Sequence, residues 1–197
     1  MKREFTEGKF YYISNLGNEG KDVFFDNHDY IRFLFSLGYL NTNVSVGKSG
    51  NTRHILKRGY RGFESPPEDN QLVGIASFSL IPRGYHLVLI QKKEGGISKF
   101  MQKIGTGYSV YMNEKSKQKG KVFEGTYKTA EIDNSTELQE FVCYLHMLPI
   151  REGIVGVGEL DSYMWSSHPD YTLQRKLAFL DHAHIAHLQT EHAGDVV

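Results

Sequence analysis

Hydrophobic and polar positions alternate along the chain in blocks that predict an ordered set of elements. Phe10-Tyr11-Tyr12-Ile13 is aromatic and β-branched and reads as a strand. Asn15 to Gly20 carries turn chemistry. Tyr30, Ile31, Phe33, Leu34 and Leu37 form the apolar stripe of a helix that Asp26 or Asn27 can cap. Residues 41–70 lack periodicity and are rich in Asn, Gly, Ser and Pro, so they predict a long loop, with one short strand near His54-Ile55-Leu56. Val73 to Ile81 and His86 to Ile90 are apolar runs joined by Pro82-Arg83-Gly84-Tyr85, the pattern of a hairpin. Gly95-Gly96 opens a helix bearing Ile97, Phe100, Met101, Ile104, Tyr108 and Tyr111. Val122 to Ile132 predicts another strand. Ser135 or Thr136 can cap a helix with Leu138, Phe141, Val142 and Leu145 on its apolar face, ended by Pro149. Residues 159–171 look irregular, and Leu173 to Gln189 read as a terminal helix.

The order strand, helix, strand hairpin, helix, strand, helix implies an α+β fold, a ferredoxin-like core with a central antiparallel sheet and helices packed on it. We divide the chain into a domain over 1–171 and a C-terminal helix or tail over 172–197. At 197 residues, 40% hydrophobic and 23% charged, the length suits one core. Mean hydropathy is −0.43 and no apolar run approaches the about 18 residues of a membrane span. No signal-peptide stretch follows Met1 and only one cysteine is present, so a cytoplasmic protein without disulfides or a Cys-cluster zinc site is expected. Cys143 itself reads as a small buried residue.

Net charge is zero, which argues against a surface that grips nucleic acid everywhere. Charge is nevertheless uneven. Between Lys92 and Lys128 lie nine lysines against three glutamates. Lys99, Lys103, Lys115, Lys117, Lys119, Lys121 and Lys128, with Tyr108, Tyr111 and Tyr127 nearby, are candidates for phosphate tracking and base stacking. Arg53, Arg58 and Arg61, beside Lys57, Tyr60 and Phe63, form a second basic-aromatic cluster in the long loop. The His182, His184 and His187 group suits an exposed histidine-rich helix better than a metal site.

Several stretches in order resemble one family: Tyr12 to Gly17, Val23 to Asp26 with Asp29-Tyr30, Ile81 to Leu87, Gly95 to Gln102, Gly120 to Gly125, Tyr144 to Gly153 and Trp165-Ser166-Ser167. Together, over roughly residues 8–171, they resemble the REP-associated tyrosine transposases, the single-tyrosine branch of the HUH nucleases. The resemblance implies a ferredoxin-like core that binds hairpin or single-stranded DNA and cuts it through a 5′-phosphotyrosine link, with Mg²⁺ or Mn²⁺ polarising the phosphate. It places the nucleophile at Tyr144. A phenol has a pKa near 10 and is a poor nucleophile at pH 7, so charge building on the phosphate must be stabilised.

The same resemblance exposes departures. Of the two strand histidines, the second is His86, but the first position holds Gly84. The ligand position four after Tyr144 is Leu148, where the family usually has Asn. A family arginine is replaced by Leu16. One imidazole cannot be expected to hold Mg²⁺, which prefers oxygen ligands. His146 lies about 200° around the helix from Tyr144 and should face away. Arg83 can contact phosphate directly. The expectation is a transposase-family DNA-binding protein with a degraded metal site and weak or no cleavage, in which Gly84→His with Leu148→Asn revives metal binding. The alternatives are an active nickase using Tyr144, and a domesticated regulator that binds RNA or a protein partner. The chain would act as a monomer or homodimer.

Overall fold

The computed structural model describes residues 4–44, 65–117 and 119–184. The expected strand near His54 lies outside them. In chain order the main elements are β1 (Phe10–Leu16), α1 (Asn27–Tyr39), β2 (Val73–Ile81), β3 (Gly84–Gln91), α2 (Gly96–Ser116), β4 (Lys128–Ile132), α3 (Ser135–Arg151), a 3₁₀ turn (Val157–Ser162) and the short α4 (His168–Tyr171). The four strands form one sheet in the order β2-β3-β1-β4, every neighbouring pair antiparallel. The expected α+β architecture is present: β1-α1-β2 leaves a gap that β3 fills, and β3-α2-β4 returns to the far side of β1, the ferredoxin-like weave.

Side-chain alternation along the strands then sorts two layers. Tyr11 and Ile13 of β1, Phe78 and Leu80 of β2, and Tyr85, Leu87 and Leu89 of β3 pack with α1 and α2 in the main core. Val88 of β3 and Ala76 of β2 face the other way and pack with Leu138, Val142 and Leu145 of α3. A register shift between Ile75 and Ser77 turns consecutive residues of β2 so that Ser77 also reaches α3. Thus α3, which carries Tyr144, lies across the sheet from α2, which carries Lys99, Lys103 and Lys115.

Local signals explain the helix starts. Asp26 caps α1 by accepting from the backbone N–H groups of His28 and Asp29, and Asp29 reaches back to those of Phe25 and Asp26. Asp29 is fully buried and also accepts from the Tyr111 hydroxyl and pairs with Lys115 at 2.5 Å, which ties α1 to α2. The cap of α3 is Asn134, accepting from the Glu137 N–H, one residue before the expected Ser135 or Thr136.

Three other expectations need correction. Pro149 lies inside α3, which runs on to Arg151. Its missing N–H removes one bond from the final turn, and its carbonyl accepts from Ile154, so the chain winds on before leaving. The strand expected over 122–132 is confined to Lys128–Ile132: the preceding segment makes an isolated Gly17–Phe123 bridge and single bonds to Leu16 and Asn15 rather than a continuous ladder, and Gly125 takes φ 151°. The helix expected from Leu173 is not formed over 173–180, where Leu173 takes φ 60°, a left-handed conformation that breaks a helix. Instead Leu177, Phe179 and Leu180 enter the main core. Buried Asp170 holds this path by pairing with Arg175 and accepting from the Leu177 N–H. Trp165, Ser167 and Asp181 bond the outer edge of β2, covering an edge that would otherwise be open to pairing.

Candidate functional site

The site is built on the sheet face turned toward α3. Pairing sets Ser14, His86 and Ser79 side by side across β1, β3 and β2. His86 is 8% exposed, and its Nδ1 lies 2.6 Å from the hydroxyl of Tyr12. Its Nε2 and the Ser79 Oγ are buried with no hydrogen-bond partner among the described residues. Burial pushes the His86 pKa down to about 4, so the ring is neutral at pH 7. Burial likewise raises the Tyr12 pKa, and the nearby Tyr144 adds to the rise.

Tyr144 stands above this strand pair on α3. Its ring centroid is 6.4 Å from that of Tyr12 at 79° and 6.5 Å from that of His86 at 71°. Phe141, one turn earlier, stacks on Tyr12 at 5.0 Å. The guanidinium of Arg151, two turns later, sits 5.3 Å from the Tyr144 ring centre. Tyr12, Glu137, Glu140, Phe141 and Tyr144 line a pocket of about 380 Å³. The two residues singled out as catalytic and metal positions, Tyr144 and His86, are therefore neighbours.

The two departures from the expected ligand set have structural consequences. Gly84 shares the His86 face, but a Cβ added there would lie 2.2 Å from the Asn15 carbonyl oxygen and 3.0 Å from Leu16. The backbone of β1 occupies the place a side chain would need. Leu148 is buried at 3% exposure. His146 is buried and turned toward β2, its Nε2 2.9 Å from the Ser167 hydroxyl and 3.4 Å from that of Ser77. Burial, with the nearby His168, pushes its pKa down to about 3. Cys143 is exposed, a correction to the buried residue expected; its neighbours Val142 and Leu145 take the sheet-facing positions instead.

The basic candidates separate into two groups. Lys99 and Lys103 donate to the carbonyls of Asn43 and Thr42, and Lys115 pairs with Asp26 and Asp29. These three hold structure together. Lys117, Lys119, Lys121 and Lys128 are exposed and have no ion-pair partner among the described residues, and Arg83 is exposed in the β2–β3 turn. Backbone bonds from Gly17 to Arg83, Asn18 to Val122 and Glu124 to Leu16 gather this turn and the 121–124 segment at one end of the sheet. Beside them runs a groove of about 620 Å³ whose lining includes Asn15, Tyr85, Gln102, Lys121, Phe123 and Tyr127. Arg53, Arg58, Arg61 and His187 lie outside the described residues.

Sequence reading missed Tyr12, Glu137, Glu140 and Arg151 as members of the site. Glu140 and Arg151 stand four before and seven after Tyr144, a helical spacing that marks one face. Tyr12 is placed there only by the register of β1 on β3.

No family model matches the chain, and no curated protein matches it. Among solved structures, its fold is similar to that of a REP-associated tyrosine transposase bound to a REP hairpin, with a TM-score of 0.55. The likeness is one of fold. Identity is 11%, and the match covers 88% of this chain and 84% of the other. Among the described residues no helix is long and apolar enough to cross a membrane.

Proposed function

We propose that this chain is a cytoplasmic transposase-like protein that binds hairpin or single-stranded DNA and does not cut it by metal-dependent chemistry. DNA as the ligand is supported by the solved neighbour, which holds a REP hairpin on the same fold. Exposed Arg83, Lys117, Lys119, Lys121 and Lys128 supply the phosphate contacts. The adjoining groove, with the Phe123 and Tyr127 rings in its lining, has the size of a small-ligand pocket, about 300–1,000 Å³, and suits one unpaired nucleotide.

The absence of cleavage rests on one observation, the contact between Gly84 and the Asn15 carbonyl. A hard divalent ion needs several oxygen or imidazole ligands around one point. Here the candidates are a glycine backed against β1, a buried leucine and an imidazole whose Nδ1 is engaged by Tyr12. Among the described residues, no group of three or more His, Cys, Asp or Glu side chains could hold a metal. The described residues do not fit Mg²⁺ or Mn²⁺. None of the described side chains lining the Tyr144 pocket is cationic, so nothing in that lining stabilises the charge that attack by the phenol would build on a phosphate. Tyr144 then serves as a wall of the α3 pocket. The expected revival by Gly84→His with Leu148→Asn is replaced by its opposite, since the histidine would displace β1 before it reached an ion.

Fluorescence anisotropy with a labelled DNA hairpin carrying a single-stranded overhang tests the binding half of this reading. Saturable binding in chelator is expected, unchanged when Mn²⁺ replaces the chelator. No binding at low salt would overturn it.

A further inference from the structure

The pocket beside Tyr144 combines three aromatic walls with two carboxylates, and the DNA-binding reading makes no use of that combination. Tyr12 and Phe141 stack at 5.0 Å and 23°, while the Tyr144 ring stands 79° to Tyr12, so the rings close two sides of one concavity. Glu137, Phe141 and Tyr144 follow one another at helical spacing, as do Glu140 and Tyr144, which brings both carboxylates to the rim. Aromatic faces carry the negative end of the ring quadrupole, and carboxylates beside them deepen the same potential. The Tyr144 ring already receives one cation: the Arg151 guanidinium lies 5.3 Å from its centre. A DNA phosphate entering this pocket would meet Glu137 and Glu140 without any lysine from the 117–128 segment in its lining.

We propose that this pocket binds an alkylammonium cation, its methylene stem lying along the ring surfaces that line the pocket and its charged head at Glu140. The volume of about 380 Å³ admits such a chain. A long apolar stem ending in an ammonium matches a lining that is apolar inside and acidic at the mouth. The chemistry is shared by a free polyamine and by a lysine side chain presented by a protein. Glu137 is partly committed, since it accepts from the Asp133 N–H. Glu140 has no such bond among the described residues and is the better probe. The proposal stands independently of DNA binding, which it assigns to the other end of the sheet.

Isothermal calorimetry on the full chain, titrated with spermidine and separately with Nα-acetyl-lysine methylamide, tests it. Saturable binding is expected, weakened about tenfold by Glu140→Gln and several-fold by Phe141→Leu, as loss of an ion partner or ring predicts. Melting temperatures of the variants show that each is folded. A tighter response to spermidine identifies a free polyamine as the ligand, and a tighter response to the lysine derivative identifies a protein side chain. No saturable heat with either probe, or equal binding by the parent and folded Glu140→Gln, would overturn the proposal. Displacement of spermidine by equimolar MgCl₂ would also overturn it, because it would reduce the pocket to a patch of charge. DNA anisotropy on the same preparations reads out the separate DNA-binding site.

Discussion

Gly84 and His86 stand two residues apart on β3, and the same packing against β1 constrains both. At Gly84 there is no space for a Cβ beside the Asn15 carbonyl, so Gly84→Ala should cost about 1–3 kcal/mol, the usual range for forcing atoms into a packed site. Urea denaturation measures this, and an unchanged midpoint would show that the glycine is not required. His86 and His146 are both buried, with folded pKa values near 4 and 3, below the unfolded value of 6.5. Each therefore takes up a proton more readily when unfolded. Their contribution to stability is full above pH 6.5 and declines as pH falls toward 4, by about 2 kcal/mol for each ring between pH 7 and pH 5. His146→Gln should roughly halve the pH dependence of the urea midpoint, and the same slope in parent and variant would contradict this assignment. Tyr144 and His86 could be recognised in the sequence because each sits in a distinctive local string. The reason for Gly84 could not, since its contact with Asn15 joins positions far apart in the chain.

Helices and strands were legible where a local signal dictates them. The Asp26 cap, the apolar stripe of α1 and the paired glycines before α2 act within a few residues, and those elements formed where the pattern placed them. The segment after residue 171 departs from the helix its pattern predicts because its apolar residues suit a helix or a docked coil equally well. Asp170 and Arg175 decide between the two through contacts that no periodicity encodes. Lys115 shows the same limit. In sequence it belongs to a lysine run that invites phosphate, whereas in the fold it neutralises the fully buried Asp29 at the start of α1. Lys115→Met should therefore destabilise the protein by about 2–3 kcal/mol, less than a wholly buried pair would lose, because a third of the Lys115 side chain remains in water. The same variant should leave DNA affinity at parental strength. A melting temperature equal to the parent's, with weakened DNA binding, would reverse the assignment and return Lys115 to the DNA surface.

Over the whole molecule, zero net charge conceals an uneven distribution of charge. The Arg83 turn and the segment that begins at Lys121 meet at one end of the sheet beside the larger groove, and Lys117, Lys119 and Lys128 are exposed as well, while the face toward α3 presents Glu137 and Glu140 around Tyr144. If the five exposed cations contact phosphate, the logarithm of affinity for single-stranded DNA should fall with the logarithm of salt at a slope of about −3.5. Replacing Lys117, Lys119 and Lys121 by Gln should bring that slope to about −1.4 and weaken binding at low salt, whereas an unchanged slope would move the DNA elsewhere. We propose that the fold carries a DNA-binding surface while Tyr144 does not cut. The most direct test incubates end-labelled hairpin DNA with the protein and Mn²⁺ and resolves the products on a denaturing gel. The labelled strand should run at its original length with no protein attached. A covalent protein–DNA band that disappears in Tyr144→Phe would contradict the account.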